Sequence, residues 1–441
     1  MISLKTADRV KKDKNGSQYH AVKLRYGLND RPPWGETALY ALQWLTISLP
    51  FVVIIGTVSA GSHFSDPALR TIYLQKATFV TGLMLLAQAL CGHRLTLVAG
   101  PAAALLLGVV GSQTSPDAIY TATAICGMML ALLSAAGFFG FLRRLFTLRV
   151  TAAVLLLIAF TMTPTILRLL TGGSDGGSAG RLVFAAIFLL ALLLAHRFLP
   201  APGRSLLVIA GMAAGSAGFV GIFGGTDTSV RQAAWATFFT GMTTPVFDAG
   251  VIFSFLFCFL ALSLNEIGSM QAMAPLLQPE GMVGRIRRGM TVTGVVNAVA
   301  GMLGVIGPVD YSLSPGVVAA VGCGSRFPLL PAGVLLLVAA FSPAILGMAA
   351  AIPPPVVGGV LLYTLAGQVA AGLAALFAAG TFSFEDGLVI GFSLLAGTVT
   401  ALLPPTALAG FPPFLQSIAG NGFVVGVVAA LTLDRLFCRS A

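Results

Sequence analysis

Charge is what this 441-residue chain has least of. Asp, Glu, Lys and Arg make up 9% of it against 57% hydrophobic residues, where an ordinary soluble domain carries about 25% charged residues. That shortage excludes a pair of water-soluble domains, which would show amphipathic periods instead of wholly apolar runs. Histidine is scarce too: His20, His63, His93 and His196 are scattered near loops and tail, with no metal-ligand spacing. The five cysteines, Cys91, Cys126, Cys258, Cys323 and Cys438, form no CxxC pair and read as small buried hydrophobes. There is no glycine-rich phosphate loop followed by Lys and Ser or Thr, no HExxH, and no nucleophile with a deep histidine. An enzyme, an ATP-driven pump, a metal centre and a bound cofactor are therefore not expected.

What the chain has instead is apolar runs of about 20 residues, each long enough to cross roughly 30 Å of hydrocarbon. They fall near 37–57, 72–91, 95–112, 118–141, 150–171, 182–199 and 204–223, then near 248–273, 286–306, 311–323, 328–349, 355–376, 386–403 and 419–436. The expected fold is an all-α polytopic membrane protein with 14 transmembrane segments, seven plus seven. Residues 35–223 form the first repeat and 224–441 the second, and the polar run 224–232 separates them.

The net charge of +10 could suggest nucleic acid, but eight of the 25 Lys and Arg lie in the first 31 residues. Residues 1–34 read as a basic cytosolic tail, and no nucleic-acid partner is expected. With that tail inside, fourteen crossings place twenty Lys and Arg on the cytoplasmic side and five elsewhere, as the positive-inside rule demands. Both termini are expected in the cytoplasm, with the chain multi-pass in the plasma (inner) membrane.

Two spans are anomalous, and each is third in its half: 94–111 and 309–324. Both open with a few extended-looking residues, meet a Gly-Pro or Ser-Pro, and then become a small-residue helix. Pro suits a helix's first turn, where its missing N–H costs nothing. Matching interruptions in two halves point to an inverted repeat whose half-helices meet at a midplane binding site. Helix starts near Ala102 and Gly316 would aim free N–H groups at whatever sits between them.

Few acids are left at membrane depth. Glu266, in "FLALSLNEIGSMQAM", is the best placed, and Asp310 opens the second broken span beside Tyr311, Ser312 and Ser314. An intramembrane carboxylate costs roughly 2.5–3.5 kcal/mol and is a functional candidate by default. Glu266 and Asp310 are the candidate proton carriers, although Asp310 could equally cap its span from outside. Asp248 reads as an interfacial or capping acid. Gln43 and Trp44 bring an amide and an aromatic ring into the first helix.

With these features in place the chain resembles the nucleobase-ascorbate transporter family, also called the xanthine/uracil permeases, from about residue 22 onward. The resemblance rests on the broken spans three and ten, the acid on span eight and the opening "KLRYGLNDRPPWGETALYALQWLTISLP". It implies a core domain at about 35–141 and 245–350 and a gate domain at about 150–223 and 354–437. It also implies dimers and coupling to protons or sodium. The family's Gln-His pair on span one stands here as Gln43-Trp44. Its Glu-x-x-Gly on span eight puts Asn265 in the acid's slot, with Glu266 one residue later. "DYSLSPG" keeps the family's Tyr311, Ser312 and Gly316 but has Leu313 and Ser314 where Glu/Gln and Asn hold substrate.

The expectation is a secondary active transporter for a nucleobase-like heterocycle of the uracil, xanthine and uric acid class. Proton symport and alternating access would drive it. Substrate contact is assigned to Glu266, Asn265, Tyr311, Ser312, Ser314, Gln43 and Ala102. The partners are a small-molecule substrate, the bilayer and, by the resemblance, a second copy of the chain. The alternatives are an anion transporter of the related sulfate-permease architecture and a passive channel.

Overall fold

The computed structural model describes residues 11–12, 18–19, 24–112, 114–137, 147–171, 179–199, 201–224, 238–311, 314–342, 346, 352–377, 382–408, 410–411 and 419–437. Ser312 and Leu313 lie outside these, as does much of the loop between the halves.

A two-rung ladder of β1 (Lys11–Lys12) and β2 (Gln18–Tyr19) lies in the tail. The first half continues with α1 (Trp34–His63), α2 (Pro67–Leu90), β3 (Ala99–Pro101), α3 (Ala103–Gly111) and α4 (Pro116–Ala135). Then come α5 (Leu148–Thr161), α6 (Thr163–Leu170), α7 (Ala179–Phe198) and α8 (Ala201–Phe223). The second half has α9 (Ala249–Leu277), α10 (Met282–Met302), β4 (Pro308–Asp310), α11 (Ser314–Val321) and α12 (Leu329–Ala340). It ends with α13 (Pro354–Phe377), α14 (Phe384–Ala401) and α15 (Gly422–Phe437).

Local chemistry explains where the helices begin. Asp66 accepts from Ala68 N ahead of Pro67, and Ser115 accepts from Ala118 N ahead of Pro116. Each pairs a side-chain cap with a proline whose absent N–H is no loss. Asp248 caps α9 by accepting from Gly250 N and Val251 N, the capping role read from the sequence. The single span expected at 150–171 divides into α5 and α6 at Met162, because Pro164 offers no N–H to continue the ladder.

Six helical segments of the described residues are long and apolar enough, by length and composition, to cross a membrane: 34–63, 116–135, 149–170 with α5 and α6 taken together, 179–198, 249–274 and 384–401. Others expected as spans differ for visible reasons. Arg70, Gln75, Lys76 and Gln88 make α2 more polar, Arg285, Arg287 and Arg288 open α10, and α3 and α11 are half-length.

Helices α4 and α10 pack backbone to backbone. A Cβ at Gly294 would fall inside contact distance of Ala131 N, and one at Gly301 inside that of Ala124 N. Small residues spaced seven apart let two helices approach this closely.

Strands β3 and β4 pair antiparallel, Ala99 with Asp310, Gly100 with Val309 and Pro101 with Pro308. Tyr311 N donates to Val98 O (2.8 Å) and Ala102 N to Gly307 O (2.9 Å), extending the pairing at both ends. Ser48 of α1 donates to Ala99 O beneath it. β3 leads through Ala102 into α3, and β4 precedes α11 in the chain, so the two halves of the chain meet at this junction.

Several segments distant in sequence come together near helix ends. Arg25 N donates to Gly322 O (2.7 Å), and Tyr26 bridges Cys323 in parallel. Arg149 at the start of α5 pairs with Asp386 at the start of α14, and Thr147 Oγ1 donates to Asp434 near the end of α15 (2.8 Å). Within α2, Lys76 Nζ donates to the carbonyls of Thr240 (2.7 Å), Gly241 (3.0 Å) and Leu303 (2.9 Å).

Candidate functional site

The junction of β3 and β4 sets the site. The first turns of α3 and α11 leave backbone N–H groups without intrahelical partners, and both turns abut the paired strands. Ala102 is the buried residue preceding α3, and its own N–H is taken by Gly307 O. Ser314 is buried as well. Its hydroxyl donates to Tyr311 O (2.7 Å) and accepts from Val98 N (3.0 Å), so it fastens one broken span to the other.

Tyr311 is half-buried and donates its hydroxyl to Pro101 O (3.0 Å). Its ring lies 4.7 Å from that of Phe51 on α1, tilted by 57°, an arrangement that presents aromatic surface beside the half-helix starts. Gln43 is also half-buried on α1, but eight residues before Phe51, about 12 Å toward the helix N-terminus.

On α9 two neighbours part company. Asn265 is half-buried and donates Nδ2 to the Asp310 carbonyl (3.4 Å), which also accepts from Ser269 Oγ (3.3 Å). Gly268, one turn on, is exposed, and a Cβ there would meet open space. Asn265 and Gly268 thus lie along the open face of the helix. Glu266 is wholly buried on the other side. Its Oε1 accepts from Thr293 Oγ1 of α10 and from Gln88 Nε2 of α2 (3.3 Å). Gln88 also donates to Thr293 Oγ1 (2.9 Å) and Gly289 O (3.0 Å), and accepts from His93 N (3.2 Å).

The Asp310 side chain points into the same interior. It has no exposed surface, adjoins the Glu266 carboxyl, and places Oδ2 2.8 Å from His93 Nε2. Of the two readings open for Asp310, an external cap does not hold; its carboxyl is inside the bundle.

Three members of this network are not among the residues the sequence singles out. The position of His93 near a loop gives no expectation of a deep histidine. The structure corrects this, since His93 follows α2 yet is fully buried. Gln88 and Thr293 carry no motif of their own. The only available signal for them is polarity at helical spacing, Gln88 about half a turn before the end of α2 and Thr293 on a helix rich in small residues.

The structure therefore brings Asn265, Tyr311, Ser314 and Ala102 together around the β3–β4 junction. Glu266 and the Asp310 side chain lie behind it, and Gln43 lies further along α1. Such an array offers hydrogen-bonding groups and aromatic surface to a small solute, with two carboxyl groups held apart from it in the buried interior.

A family model described as a permease family, the xanthine/uracil type, matches residues 35–406. The nucleobase transporter PlUacP of Paenibacillus larvae is 26% identical over 337 residues, 74% of this chain and 76% of that protein. The xanthine permease XanP of Escherichia coli is 24% identical over 453 residues, covering 96% of each. Among solved structures, the transmembrane domain of the cyanobacterial bicarbonate transporter BicA superposes with a TM-score of 0.64 at 17% identity, covering 88% of this chain and 100% of that one. That likeness is one of fold.

Proposed function

The chain belongs to the xanthine/uracil permease family, and on that premise we propose that it carries a nucleobase-like heterocycle across the plasma membrane, coupled to protons, by alternating access. It is a multi-pass membrane permease and not an enzyme. The observation that carries the solute class is the pairing of Asn265 with the Tyr311–Phe51 surface at the half-helix junction. A planar ring stacks on aromatic faces, and an amide side chain both donates and accepts, which matches the mixed edge of a uracil or a xanthine. Named relatives that carry nucleobases and xanthine support the same class.

In this reading the chain makes fourteen crossings in two inverted halves, with both termini cytoplasmic. Helices α1 to α4 and α9 to α12 with the strand junction form a core that holds the solute. The remaining helices form a gate against which the core moves. The clustering of Arg149, Asp386 and Asp434 supports one side for those three chain ends. Glu266 and Asp310 are the proton-carrying groups, with sodium as the alternative coupling ion. Ser312 keeps its assignment as a substrate contact.

A second reading, anion transport, is favoured by one observation, the fold shared with a bicarbonate transporter. Two buried carboxyl groups behind the site oppose it. Uptake of labelled uracil, xanthine, uric acid and bicarbonate into proteoliposomes under an imposed pH gradient separates the two. Gradient-driven accumulation of a heterocycle is expected; accumulation of bicarbonate alone would reverse the assignment.

A further inference from the structure

We propose that Glu266 and Asp310 hold one proton between them in a chamber behind the solute site, and that His93 is the positioning residue that fixes where that proton sits. The inference rests on the transport reading above but is carried by the hydrogen-bond accounting of the buried network.

The accounting starts at His93. Its Nδ1 accepts from Leu95 N (2.8 Å), so that nitrogen carries no hydrogen, and a neutral imidazole then bears its hydrogen on Nε2. Nε2 therefore donates to Asp310 Oδ2 (2.8 Å), and this carboxyl oxygen is an acceptor. Glu266 Oε1 is likewise an acceptor, taking Thr293 Oγ1 and Gln88 Nε2. Two oxygens remain, Asp310 Oδ1 and Glu266 Oε2. Both are buried, and neither has a hydrogen-bond partner among the described residues.

The two carboxyls adjoin, and a buried polar atom left without a partner is costly. One proton placed between Oδ1 and Oε2 gives an O–H···O bond that satisfies both. A second proton would find no acceptor, and none would leave two bare carboxylates facing each other. The pair thus carries one proton and a single negative charge.

The groups that bear on it from each packed element are few. Residue His93 follows α2, Thr293 and Arg285 come from α10, Glu266 from α9 and Asp310 from β4. Arg285 reaches the site only through the backbone, donating Nη1 to His93 O (2.9 Å) and Arg94 O (3.2 Å). The imidazole cannot pass a proton along while Leu95 N–H occupies Nδ1, so His93 blocks that route. The pair is coupled to the solute site through Asp310, whose side chain joins the proton and whose carbonyl accepts from Asn265 and Ser269 on the other side. A solute that displaces Asn265 shifts the same residue that holds the proton.

The test uses the purified full chain in liposomes, read by infrared spectroscopy for a protonated buried carboxyl without any solute, and by uptake as a function of pH. One such band per chain is expected, absent in Glu266→Gln. In His93→Phe the pH at which the band is lost should move by about tenfold in proton concentration or more. His93→Gln, whose amide N–H can still donate to Asp310 Oδ2, should move it back toward the native value. A missing band, a band indifferent to His93→Phe, or a transition abolished by His93→Gln would overturn the proposal, the last by making the imidazole itself the titrating group. Should His93→Phe not reach the membrane, His93→Gln decides alone. Because the band is read without solute, failure of all heterocycle uptake sinks the transport reading and leaves this result standing.

Discussion

Asn265 and Glu266 are consecutive on α9 and serve opposite sides of it: the amide meets the Asp310 carbonyl on the half-buried face, and the carboxyl meets Thr293 and Gln88 in the sealed interior. One helical step turns a side chain by about 100°, enough to separate solute recognition from charge storage. Asn265→Ala should therefore raise the KM for the solute by up to about tenfold, the loss of one hydrogen bond worth roughly 0.5–1.5 kcal/mol, while keeping the pH profile of uptake. Glu266→Gln should flatten the pH profile. Initial-rate uptake across a pH series measures both, and an unchanged profile in Glu266→Gln would remove its proton role.

Lys76 is a second buried residue with a specific demand. Its ammonium is matched by three backbone carbonyls from two separate segments. Lys76→Met would leave those carbonyls without their donor at about 1–3 kcal/mol for a group left bare. A lower melting temperature is expected in a thermal unfolding scan of the solubilised protein, with solute affinity in the surviving fraction intact.

The α4–α10 contact leaves no room for a side chain at Gly301. Gly301→Leu should block the approach of the two helices, since overpacking costs typically about 1–3 kcal/mol and occasionally more. Fluorescence-detected size-exclusion chromatography should show the monodisperse peak diminished or lost. A native-like peak with native stability would mean that the helices pack less closely than described.

Orientation is open to chemical labelling. Ser65, between α1 and α2, and Gln278, just past α9, are both exposed, and seven crossings separate them in the fourteen-span reading. In a chain whose native cysteines are replaced by serine, Ser65→Cys should react with an impermeant maleimide on intact cells. Gln278→Cys should react only after permeabilisation. Labelling of both from outside would break the parity.

The sequence carried the broken spans plainly, because Gly-Pro and Ser-Pro after short extended runs leave few backbone options, and α3 and α11 begin where those signals place them. The one-residue offset of Glu266 was legible too, but its consequence was not: the sequence assigns Glu266 to substrate contact, whereas the structure buries its carboxyl against Thr293 and Gln88 behind the junction. His93 was illegible. It follows the helix in "CGHR", beside a charged residue, and reads as loop. Its burial comes from the chain turning back at Arg94, where φ is 55°, and from the apolar run after it folding under the strand junction. The fate of Ser314 was equally hidden: nothing local says that its hydroxyl is spent on Val98 and Tyr311.

The three-rung pairing of Ala99–Pro101 with Pro308–Asp310 has a mechanical consequence. Prising the half-helices apart would strip interstrand hydrogen bonds in a place where water cannot replace them. The two broken spans are thus yoked like the jaws of a closed clasp, and whatever they grip must travel with both of them at once.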